Sequence, residues 1–236
     1  MKGNCSFEVH QAGVRSGLYR LLGLTLLTPP DPNIVALWKD SEMQEELRTF
    51  FSGACLDELK LGIEGPESSP RAIKLAYDAL FSVPIKGKCV TPYESVYREE
   101  HVIDEKPIKL LMGRSAQDVQ RFYSSAGLEP PDSARELPDH IGMELLFMAG
   151  MCGQQSEAIE AGQEEEARNW NAMQCQFLRQ HLGEWVAPLA NDIRKRCPSH
   201  FFRALATMMH ELICDDMKML AFVHAGEAEP MDGARV

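Results

Sequence analysis

No apolar stretch of the roughly 18 residues that a membrane span requires runs through this chain. The opening residues, Met1 to Glu8, also lack the charged-then-apolar pattern of a secretion leader, so the expected location is the cytoplasm, without stable membrane insertion. Cys-x-x-Cys pairs are missing as well. The seven cysteines are odd in number and scattered over 236 residues, which argues against a disulfide framework and for reduced thiols. Positive charge is scarce: 24 Lys and Arg stand against 35 Asp and Glu, for a net charge of -11. Phosphate backbones and anionic lipid are repelled by such a surface on average, so nucleic acid is not expected, whereas a cationic partner is favoured. Neither a glycine-rich phosphate cradle nor an internal repeat of fixed period is present.

Runs of alternating polarity at strand length are absent too, and what fills the chain instead is helical spacing. Val14, Leu18, Leu21, Leu22 and Thr25 make one apolar stripe, closed by Pro29-Pro30. Asp31-Pro32 reads as a cap and first turn for a short helix carrying Val35 and Trp38, with a further helix expected from Met43 to Phe51 and a loop from Gly62 to Ser69. Ser69-Pro70 opens a helix with Ile73, Tyr77, Leu80 and Phe81 on one face, ended by Val83-Pro84. From Ile85 to Met112 the period is lost, and an ordered but irregular excursion is expected. Ser115 to Asp118 has capping-box spacing ahead of Val119, Phe122 and Tyr123, in a helix that stops at Gly127. Trp170, Met173, Phe177, His181 and Trp185 share a helical face, with Pro188 expected to end or kink that helix. Phe201, Leu205, Met208, Met209, Leu212 and Met219 mark a last helix, followed by a frayed tail at 226–236. The fold class implied is all-α, a multi-helix bundle with one long ordered loop. Its 236 residues form a single domain, or two helical subdomains of about 1–127 and 133–225 joined by a hinge at 127–132.

Glu136-Leu137-Pro138-Asp139-His140 places two carboxylates and an imidazole at the mouth of the helix that begins near Ile141. Pro138 suits a first helical turn, and acidic groups there are favoured by the helix dipole. These residues therefore serve as caps, as parts of a binding site, or as parts of a catalytic one. In the catalytic reading, His140 and Glu144, one turn apart, would ligate a metal ion with His181 or His210 from another helix, as in a metal-dependent helical hydrolase. An exposed Glu144 would leave that set incomplete. Cys197-x-x-His200 with His210-x-x-x-Cys214 can be written as a zinc pattern, but its spacing matches no usual one. A helical scaffold for some other partner is the third reading.

Three segments in order, Tyr77-Asp78-Ala79-Leu80-Phe81, Thr91-Pro92-Tyr93-Glu94-Ser95-Val96-Tyr97 and Glu136 to His140, resemble the TorD/DmsD family of redox-enzyme maturation chaperones, to which NarJ-type chaperones are related. The first is similar to its aromatic-x-x-Leu-Phe pattern, the second to its Pro-and-Glu loop, the third to its Glu-x-x-Asp-His signature. Leu137 stands where that family often has proline, and Pro138 follows it. The resemblance extends from about Val14 to Val223 and includes His181-Leu182-x-x-Trp185. It implies a cytoplasmic, non-enzymatic chaperone without cofactor. Its partners would be the twin-arginine signal peptide and the apo-form of a molybdopterin oxidoreductase, held until cofactor insertion is complete. Such a peptide offers a cationic start and an apolar middle, for which Glu94, Glu136 and Asp139 would supply charge, beside His140. Tyr77, Leu80, Phe81, Pro92, Tyr93 and Tyr97 would line the groove. GTP binding is associated with members of the family, but no residue here supports it independently. A monomer and a homodimer that exchanges halves both fit the expected hinge.

Overall fold

The computed structural model describes the backbone of residues 2–83, 87–103, 106–128 and 136–227, and their side chains except those of 2–10, 101–103, 106–108 and 221–227. The fold is all-α apart from one short hairpin. Helix α1 (Lys2–Leu27) is followed by α2 (Pro32–Lys39), α3 (Ser41–Leu47), α4 (Gly53–Glu64) and α5 (Pro70–Tyr77). Helix α5 runs into a π-helical turn, Asp78–Ser82. The short α6 (Glu94–Arg98) leads to an antiparallel pair, β1 (His101–Ile103) with β2 (Lys106–Ile108). Then come α7 (Arg114–Ala126), α8 (Ile141–Glu160), α9 (Glu164–Gln180), α10 (Leu182–Arg196) and α11 (His200–Glu227).

Most of these elements form for reasons that are local. Asp31 accepts from the amides of Asn33 and Ile34, with Pro32 at the first helical position. Asp40 does the same for Glu42 and Met43. Ser69 accepts from Ala72 ahead of α5. Helix α7 ends where Gly127 turns left-handed at φ 66.

Four expectations are corrected. Helix α3 stops at Leu47, and a further helix, α4, follows without a side-chain cap; its Cys55, Leu59 and Ile63 recur every fourth residue and are buried, and it runs to Glu64, into the expected loop. The excursion from Ile85 to Met112 holds α6 and the hairpin, which are too short to show a period. Ser115 does not cap α7; the Glu99 carboxylate accepts from the amides of Arg114 and Ser115 at 3.0 and 2.7 Å, a long-range cap that no local pattern encodes. The apolar face of Trp170 to Trp185 breaks at His181, with φ -125 and ψ -96, while Pro188 lies inside α10. Most of the expected hinge and the end of the tail, residues 129–132 and 228–236, lie outside the described residues.

Helices α1 and α8 pack along their lengths, α11 lies on both α4 and α10, and one contiguous apolar cluster runs from Leu18 to Leu220. Within it Arg15 is clasped by Asp216 at 2.7 to 2.9 Å and by Gln174 at 2.7 Å, and Tyr19 donates to Asp216 at 2.8 Å. Such a buried ion pair adds little net stability against an apolar replacement, but it fixes α1 to α11, because stranding either charge costs about 3–5 kcal/mol.

Candidate functional site

The three segments singled out in the sequence meet at one end of α8. Pro92 to Glu94 and Asp139 to Ile141 run antiparallel as an isolated bridge: Glu94 N donates to Asp139 O at 2.9 Å, and Ile141 N donates to Pro92 O at 2.9 Å. The Tyr93 and His140 rings meet edge to face at 5.0 Å. From the other side, the π-helical turn delivers Leu80, whose carbonyl accepts from Val90 N at 2.7 Å. Tyr77 donates to Leu26 O at 3.2 Å, and its ring packs at a tilt against Phe81 and Phe202. Helix α8 can start this close to α1 because Gly142 has no side chain; a Cβ there would lie 2.7 Å from Leu27 Cα.

The two carboxylates of the Glu136 to His140 segment are placed differently. Glu136 is half-buried and accepts from the Tyr93 hydroxyl at 2.6 Å. Burial, then that bond and the Glu136 charge, hold the Tyr93 hydroxyl above its ordinary range. The Tyr77 hydroxyl is raised by burial first and by Glu136 next, which places all three groups in one neighbourhood. Asp139 is buried. Its carboxylate accepts from Ser95 N at 3.0 Å and so caps α6, an element 44 residues upstream. Desolvation raises its pKa, against the lowering effect of the Ser95 bonds.

His140 is buried too, and its Nδ1 accepts from Gly142 N at 3.0 Å, so it is the cap of α8, with Pro138 in the turn before the helix rather than in its first turn. An imidazole that accepts at Nδ1 is neutral, and burial pushes its pKa down to about 3. Of the ten expected site residues, Tyr93, Glu136 and Phe81 reach the surface of this neighbourhood, with exposed Val83 beside Phe81. Tyr77, Leu80, Asp139 and His140 form its buried frame. Tyr97 points elsewhere, donating to Asp192 at 3.2 Å and lying against Trp185.

Glu94 faces inward as well. Its carboxylate binds His181 Nδ1 at 3.0 Å and pairs with Arg98 one turn later in α6. Arg98 also donates to Gln180 O, the last carbonyl of α9, which is where that helix breaks. Beside Glu94 lies Glu144, fully buried, with Oε2 accepting from Trp185 Nε1 at 3.2 Å. Burial, then the neighbouring Glu94 charge and after it Asp139, hold Glu144 well above the carboxylate range. Among the described residues Glu144 Oε1 has no donor. A protonated Glu144 that donates to Glu94 satisfies this oxygen and removes the repulsion between the two acids.

Sequence reasoning missed Glu144 and Arg98 as members of this inner network. The spacing of Glu94 and Arg98 was the available signal for the second; the first was marked only as a metal ligand, by its spacing from His140. Among the described residues no three His, Cys, Asp or Glu side chains converge as metal ligands. His140 spends Nδ1 on its helix, and the zinc pattern is not assembled among the described residues: His200 binds Glu58, while His210 and Cys214 meet at 3.5 Å within α11.

The chain is similar to known proteins. The chaperone protein TorD of Shewanella pealeana is 24% identical over 88% of this chain and 90% of that one. The perchlorate reductase assembly chaperone protein of Dechloromonas aromatica is 24% identical over 91% and 93%. A chaperone protein TorD of Vibrio cholerae is 30% identical over 61% and 66%. The family described as nitrate reductase delta subunit matches residues 39–191, which includes all ten expected site residues, and the chain belongs to that family.

Proposed function

We propose that this protein is a cytoplasmic chaperone, not an enzyme, that binds the twin-arginine signal peptide of a molybdopterin-containing oxidoreductase and holds the apo-protein during cofactor insertion. The single observation that carries the peptide site is the Tyr93 to Glu136 hydrogen bond, which fixes an accessible carboxylate over the junction of the three segments. Half-buried Phe81 and exposed Val83 supply apolar surface beside it. A cationic and apolar peptide finds both needs there, and the net charge of -11 speeds its approach. Asp139, Glu94 and His140 act from behind, by holding the bridge that aims Glu136. A monomer suffices for this site.

Calorimetric titration with twin-arginine signal peptides from oxidoreductases of the same organism tests the reading. Glu136→Gln keeps an acceptor for Tyr93 but loses the charge. It should weaken binding about tenfold or more and flatten its salt dependence, with the melting temperature almost unchanged. Equal affinity in the variant, or no binding of any such peptide by the wild type, would refute it.

A further inference from the structure

Arginines gather beside the C-terminal end of α6. A cavity of about 720 Å³ opens between α7 and the break joining α9 to α10, walled by Arg98, Arg121 and Arg179, with Phe122 and His181 at its inner end. Three arginines around one cavity are unexpected in a chain where acids outnumber Lys and Arg 35 to 24. Asp118 and Glu184 at the rim offset part of that charge, and Asp118 pairs with Arg121. Among the described residues Arg179 has no acidic partner within ion-pair distance.

The inner end is built rather than incidental. His181 keeps only 4% of its surface, and its ring lies between Phe122 and Phe177. Glu94 holds Nδ1, and among the described residues Nε2 has no hydrogen-bond partner, on a side chain that forms part of the cavity wall. A carboxylate on one ring nitrogen orients the other toward a ligand. Arg98, anchored by Glu94 and the Gln180 carbonyl, is held in place beside it.

We infer that this cavity is an oxyanion-binding site, in which the Arg98, Arg121 and Arg179 guanidinium groups and His181 Nε2 receive one carboxylate or phosphate group. Arginine forks match both oxyanions in two-point geometry. The cavity shares Glu94 with the frame behind Glu136 but is lined by other residues, and the inference does not depend on the signal-peptide reading.

The test uses the full chain and two probes, inorganic pyrophosphate and an acetylated, amidated tetra-aspartate, titrated at low salt with calorimetry and with the His181 ring resonances followed by NMR. Saturable 1:1 binding of at least one probe is expected, with a shift of the His181 signals. Arg121→Glu combined with Arg179→Glu alters two exposed side chains and should weaken that binding at least tenfold, with the melting temperature and the signal-peptide affinity kept. Binding of tetra-aspartate alone identifies a carboxylate ligand, and binding of pyrophosphate alone a phosphate. Failure of both probes, or equal affinity in the double variant, overturns the site. Loss of signal-peptide binding in the wild type would count against the proposed chaperone role and leave this result standing.

Discussion

Glu144→Gln should make the protein more stable at neutral pH, although it alters a fully buried charged residue. The folded pKa of Glu144 lies above its unfolded value of 4.5, because of burial and the nearby Glu94 charge. The native state therefore keeps a proton that the unfolded chain releases above about that pH. The contribution of Glu144 is whole below pH 4.5 and is lost progressively as pH rises toward the folded pKa, with a slope of at most about 1.4 kcal/mol per pH unit.

Glutamine has no proton to exchange, yet it keeps an acceptor for Trp185 and a donor for Glu94. At pH 4 the variant should match the wild type within about 1 kcal/mol. Between pH 5 and 7 its advantage should grow, by at most about 3 kcal/mol, or roughly 6–12 °C in melting temperature for a chain of this size. Urea denaturation at pH 4, 5, 6 and 7 reads this directly. Glu144→Leu serves as the contrast: it strands the Trp185 donor and should lose about 1–3 kcal/mol. A stability difference that stays flat with pH, or a glutamine variant that loses several kcal/mol at pH 7, would show that Glu144 is ionised in the native state and refute the reasoning.

Asp139→Ala removes the acceptor for Ser95 N and should cost about 1–3 kcal/mol in chemical denaturation, while Asp139→Asn, which keeps an acceptor, should stay within about 1 kcal/mol; equal losses would show that charge rather than capping matters. Gly142→Ala places a Cβ 2.7 Å from Leu27 Cα, a backbone contact that cannot swing aside, and should cost about 1–3 kcal/mol with weaker signal-peptide binding, as read by thermal melting and calorimetry.

Where a helix is specified by residues within a turn of its own start, it is legible. Asp31-Pro32 and Ser69-Pro70 name their helices, and the stripes of α1, α7 and α11 name their buried faces. The hairpin is not legible, because its strands are too short to show a period, and α4 is missed because no side-chain cap announces it, although Cys55, Leu59 and Ile63 carry helical spacing. The candidate site divides in the same way. That Glu136, Asp139 and His140 belong together with Tyr93 and Glu94 is readable from segment order through the family resemblance, and the bridge joins them. Which of them face solvent is not readable. Asp139 and His140 look like exposed first-turn residues, yet one is buried because it caps α6 and the other because it caps α8 against α1. Long-range caps such as these, and the Glu99 cap of α7, are set by tertiary packing and leave no periodic trace in sequence.

The clasp between Arg15 and Asp216 joins residues 201 positions apart. During synthesis at about 5–20 residues per second, α1 would wait on the order of 10 seconds or more for α11, the helix that completes its burial. Until then the stripe of α1 has α8 as its main cover and an arginine without its counter-charge. A nascent chain truncated before α11 should therefore bind chaperones or be degraded, because the burial of α1 stays incomplete until Asp216 has been made and packed.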